Sequence, residues 1–134
     1  MEQVPAKYTF VNKYKGSVWG EEYVKVINMS KIVLNLFLND YDQVKSGVNL
    51  RMVEIPACKA FQLSQHIPGI EKFLEVGKEI EIFQDNKQLT EKIDFFLAHD
   101  KERKTIAKNS YKKIKELTFA NQIKCILKTI EKIS

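Results

Sequence analysis

The stretch Ile32-Val-Leu-Asn-Leu-Phe-Leu38 decides the fold. It is nearly unbroken apolar sequence, too short for a helix of its own, rich in strand formers, and it stops at the turn signal Asn39-Asp40. Strands that read as continuous apolar runs are covered on both faces, as a parallel sheet demands. The run therefore predicts the central strand of an α/β sheet.

Upstream of it, Glu21 to Asn28 spaces Tyr23, Val24 and Ile27 at helical intervals, with acidic residues in the first turn where the helix dipole favours them. Earlier still, Tyr8-Thr-Phe-Val11 predicts another strand, followed by a glycine-bounded connection from Lys15 to Gly20. Downstream, a polar stretch from Asn39 to Lys45 leads to a short helix capped by Ser46 or Asn49. That helix presents Leu50, Val53 and Ala57 on one side, and Pro56 should shorten or kink it.

Ala60-Phe-Gln-Leu-Ser64 predicts the next strand, Pro68-Gly69 a turn, and Ile70 to Val76 a two-turn helix closed by Gly77. Glu79-Ile-Glu-Ile-Phe83 alternates as a strand near a sheet edge does. No strand signal returns afterwards. Leu89, Ile93, Phe96 and Leu97 mark a helix capped by Asp85 or Asn86, and two more helical stretches run from Lys101 to Leu117 and from Phe119 to Ile133. The order βαβαβαβ, then helices, predicts an α/β Rossmann-like parallel sheet with flanking helices and a helical C-terminus. The 134 residues suffice for one such domain and not for two.

Composition narrows the function classes. The hydrophobic fraction of 44% and charged fraction of 29% belong to a globular chain, so disorder is excluded. No apolar run reaches the length of a membrane span and the N-terminus lacks a secretion signal, so the cytoplasm is the expected location. Cys58 and Cys125 are the only two cysteines, with His66 and His99 as their only histidine companions, which indicates neither a disulfide framework nor a metal site. A net charge of +5 suits an anionic partner such as a nucleotide or an anionic membrane surface. Basic and aromatic residues do not interleave as in nucleic-acid binders, so no nucleic acid is expected.

The chemistry concentrates where a strand gives way to a helix, because backbone N–H groups and the positive helix end converge there on anions. Gly47 lets the backbone approach a phosphate, the N–H groups around Asn49 to Arg51 can donate to it, and Arg51 adds a charged fork for diphosphate oxygens. Glu54 falls one turn further on the same helical face, where a carboxylate can accept from both hydroxyls of a ribose. Each has a plainer reading: Glu54 as a solvated helix residue, Arg51 as the ion-pair partner of Glu54 or Asp40. Trp19 and Tyr23 either stack on a base or join the core, the commoner fate of a tryptophan.

These residues also carry a family resemblance. Asn49-Leu-Arg-Met-Val-Glu-Ile-Pro-Ala-Cys58, then Gly69-Ile-Glu-Lys-Phe73, Gly77-Lys-Glu-Ile80, Leu89-Thr-Glu-Lys-Ile-Asp-Phe-Phe-Leu97 and the segment His99 to Arg103 resemble the C-terminal domain of GT-B glycosyltransferases. The likeness is to the group 1 type, within the glycosyltransferase-like group that includes the CgeB-type spore-maturation proteins. It spans about residue 18 to the C-terminus. It implies a nucleotide-sugar-binding domain in which Glu54 holds the donor ribose and the Gly47 to Arg51 segment faces the diphosphate, with Gly69 and Glu71 at the same site. Two positions depart from the pattern: Lys59 stands where a glycine usually follows Ala-Cys, and Ser46 stands where the retaining branch has a sugar-binding glutamate.

The expectation is thus a glycosyltransferase donor domain taking a nucleoside diphosphate sugar. It needs no other cofactor and no metal, and is inactive until a second, N-terminal acceptor domain completes it. The alternative is a non-catalytic nucleotide or nucleotide-sugar binding module. The apolar stripe Phe119, Ile123, Ile126, Leu127 and Ile130 either folds back onto the domain or mediates contact with the acceptor domain or self-association.

Overall fold

The computed structural model describes residues 14–37 and 48–133. In chain order these form α1 (Gly20–Met29), β1 (Val33–Asn35), α2 (Arg51–Ala57), β2 (Gln62–Gln65), α3 (Ile70–Phe73), β3 (Glu81–Phe83), α4 (Asn86–Ala98), α5 (Asp100–Ile114) and α6 (Phe119–Ile133). The strands make one parallel sheet in the order β1-β2-β3, with Leu34 opposite Leu63 and Ser64 opposite Ile82. This is the α/β Rossmann-like arrangement expected, with helices around a parallel sheet. The strand expected at 8–11, the end of the apolar run at Leu38, the polar stretch expected at 39–45 and the residues Ser46 and Gly47 lie outside the described residues.

The expected central strand is the edge strand of the described sheet, and β2 occupies the centre. β1 is also shorter than its apolar run. Beyond Asn35 the chain leaves the ladder, and the Phe37 N–H donates to the Gln65 side-chain oxygen at 3.0 Å. The centre is β2 because both its faces are covered. Phe61 and Leu63 pack on one side with Phe83, Phe96 and Ile106, while Gln62, on the alternate face, donates from Nε2 to the Met52 sulfur at 3.4 Å. A second apolar cluster gathers Met52, Ile67, Ile70, Leu74, Ile80 and Ile114, tying α2, α3 and α5 to the sheet.

Local chemistry explains the element ends. Asp85 caps α4 by accepting the Gln88 N–H at 2.8 Å, and the Gln88 side chain reaches back to the Gln84 N–H at 3.1 Å. α3 is one turn, not the two expected over 70–76: Leu74 turns to an extended conformation and buries itself in the core, ending the helix. Gly77 accordingly closes the turn before β3, its N–H donating to the Ile80 carbonyl at 2.8 Å. Pro56 sits in the last turn of α2, which ends one residue later at Ala57.

α6 is different from every other long helix. Phe119, Ile123, Ile126, Leu127 and Ile130 lie on one face and each is more than half exposed, Phe119 reaching 86%. Among the described residues no helix is long and apolar enough to cross a membrane.

Candidate functional site

The site is assembled from the C-terminal end of β1. Asn35, fully buried, exchanges two side-chain hydrogen bonds with Asn49, at 3.1 and 2.9 Å. Asn49 Oδ1 also accepts the Met52 N–H at 3.2 Å, which satisfies one of the donors that open α2. Asn49 is therefore both cap and clamp: it fixes where α2 begins relative to the strand. Each neutral bond is worth on the order of 1 kcal/mol, so the clamp is modest in energy but specific in geometry. Asn35 was not singled out from sequence. Its signal was there as the one polar residue inside an apolar run.

With α2 so fixed, Arg51 is exposed at its first residue and Glu54 is half-buried one turn later. Tyr23 of α1 reaches across and its hydroxyl donates to Glu54 Oε2 at 3.3 Å. Burial raises the Tyr23 hydroxyl above the ordinary tyrosine range, and the Glu54 negative charge adds to the effect, so Tyr23 stays a donor. The Glu54 carboxylate spends only part of its acceptor capacity on this bond.

Arg51, Glu54 and Tyr23 form one wall of a cleft of about 430 Å³, and residues 16–20 form the other. Trp19 lies on that second wall and is 83% exposed, so it is not the core residue that its type favours. The glycines around it and the absence of a covering element among the described residues leave its ring free at the cleft. The cleft volume is that of a small-ligand site.

Gly69 and Glu71 do not line this cleft. Gly69 adopts a left-handed conformation (φ 96°) in the turn after β2. Glu71 is exposed and its Oε1 lies 2.7 Å from His66 Nε2. Hydrogen bonding from its own backbone N–H, then from His66, holds its carboxyl below the usual glutamate range. His99 ends α4, where its ring stacks on Phe95 with centroids 3.9 Å apart. Arg103 is buried and bonds the Phe96 carbonyl and the Asp100 carboxylate, which joins α4 to α5. Cys58 and Cys125 are both free thiols. Among the described residues no cluster of three or more His, Cys, Asp or Glu could hold a metal ion.

A parallel sheet flanked by helices, with a cleft beside the helix that follows one of its strands, defines a Rossmann-like domain. The chain belongs to the glycosyl transferase-like family, whose sequence model matches residues 4–128, nearly its whole length. That membership gives it a role in glycosyl transfer. No curated protein and no solved structure matches it.

Proposed function

We propose that the chain is the donor-binding domain of a GT-B glycosyltransferase and that the cleft between residues 16–20 and α2 takes a nucleoside diphosphate sugar. The observation that carries this reading is the placement of Arg51 and Glu54 one helical turn apart on a single cleft wall, in a member of a glycosyl transferase-like family. Arg51 forms the fork for the diphosphate. Glu54, oriented by Tyr23, accepts from the ribose hydroxyls, and Trp19 stacks on the base. The N–H groups of Asn49, Leu50 and Arg51 have no acceptor among the described residues and add donors beside the arginine.

In the transfer step the acceptor oxygen bonds to the anomeric carbon as the bond from that carbon to the diphosphate breaks, and the acceptor proton passes to a base. Arg51 stabilises the charge gathering on the departing diphosphate. The base and the acceptor site belong to a second domain, for which the exposed stripe of α6 supplies a docking face. Fully burying one such side chain stabilises by roughly 1.5–3 kcal/mol, so covering five is a substantial driving force. Titration calorimetry with UDP, GDP, ADP and TDP, alongside a transfer and hydrolysis assay, tests the reading. Binding of at least one nucleotide without turnover is expected. No heat with any of them removes the donor site, and unaided transfer removes the need for a second domain.

A further inference from the structure

The other end of α2 carries a second feature. The helix closes with a Schellman arrangement in which the Lys59 N–H donates to the Pro56 carbonyl at 2.8 Å and the Ala60 N–H to the Ile55 carbonyl at 3.3 Å. This geometry requires a left-handed residue, and Lys59 occupies it at φ 60°. Among the described residues it is the only non-glycine with a positive φ. The turn is the one a glycine would make without strain, so the lysine is held there at a conformational cost.

Its side chain joins others. The Lys59 ammonium sits 4.9 Å from the centre of the Tyr111 ring. Along α5 and its C-cap, Lys104, Lys108, Lys112 and Lys115 recur at intervals of four, four and three, which places them on one stripe. These five lysines, with Tyr111 and Ala107, line a groove of about 420 Å³ that contains no acidic residue. An adjoining depression of about 220 Å³ shares Lys59, Lys104 and Ala107 and adds Lys31 and Arg103. Asp100 pairs with Lys104 at 2.5 Å and Glu116 reaches Lys115 at 3.9 Å. Among the described residues no carboxylate pairs with Lys59, Lys108 or Lys112.

We infer that this groove binds a small anion carrying two or more phosphates. Several uncompensated ammonium groups around one concavity repel each other, and a ligand of matching charge density relieves that repulsion. A phosphate brings up to two charges and three acceptor oxygens in little volume, which suits ammonium groups better than a single carboxylate does. The volume is that of a small-molecule site. The groove lies at the opposite end of α2 from Arg51, so it is separate from the donor cleft and independent of that reading.

The test measures binding of inorganic tripolyphosphate by calorimetry. In parallel, sedimentation measures binding to phosphatidylcholine vesicles with and without phosphatidylinositol bisphosphate. The proteins are the wild type, Lys59→Gly and the double variant Lys108→Gln/Lys112→Gln. Lys59→Gly relaxes the left-handed turn, so its melting temperature holds or rises while its affinity falls about ten-fold or more. The double variant falls at least as far, and binding weakens with salt. Lysine-dependent binding of tripolyphosphate identifies a free ligand. Lysine-dependent binding of the doped vesicles alone identifies a lipid headgroup. Binding to neither probe, or unchanged affinity in either lysine variant, overturns the inference.

Discussion

The start of α2 and the turn into α3 follow neighbouring parallel strands, so both come after the same, C-terminal ends of those strands, and each carries a glutamate within its first turn. Their glutamates do different things. Glu71 is exposed and satisfied inside its own turn by His66 and by its own N–H. Glu54 is half-buried, receives one bond from Tyr23 on another element, and faces a cleft beside an arginine and an open tryptophan. A carboxylate whose partners are all within its own turn organises that turn. One oriented from outside, with acceptor capacity left over, fits the proposed ribose contact.

The contrast is broken most severely by Glu54→Ala. Loss of the charge-assisted ribose bonds should weaken nucleotide affinity by about 1.5–3 kcal/mol, roughly ten- to a hundred-fold. The fold should survive, because among the described residues the only side-chain hydrogen bond lost is the one from Tyr23. A calorimetric titration beside a thermal melt measures both. Next comes Trp19→Ala, where base stacking is worth about 1–3 kcal/mol of affinity. Its melting temperature should not move, because the ring is exposed. An unchanged affinity would assign the base to another surface.

The smallest effect belongs to Glu71→Gln, which should leave nucleotide affinity unchanged. Its signature is in stability. A carboxyl held below its usual range in the folded state contributes stability that is present above the ordinary glutamate range and is lost as pH falls through the folded value. The wild type should therefore melt higher than the variant at neutral pH, with the difference closing under acid conditions. Thermal melts across that range check the sign. A pH-independent difference would mean that the charge is irrelevant to the turn.

Much of the fold was legible because it rests on local signals. The apolar run at 32–38, the Asp85 cap and the extent of α6 depend on spacing and capping that the chain carries in itself. The misreadings share one cause, which is tertiary choice. α3 stops early because Leu74 finds a core position, and Trp19 is exposed because no described element covers it. The Asn35–Asn49 clamp joins residues 14 positions apart, and no periodicity announces such a pair. The departure at Lys59 was visible as a residue type, though not as a residue in a left-handed turn. The structure keeps the turn and puts the strain on the lysine instead.

The most direct measurement of the central claim is a map of backbone and indole amide shifts by NMR as a nucleoside diphosphate is titrated in. Saturable shifts are expected at Asn49, Leu50, Arg51, Glu54, Tyr23 and the Trp19 indole, with Gly69 and Glu71 unmoved. Shifts confined to Gly69 and Glu71, or no shift with any of the four nucleotides, would contradict it.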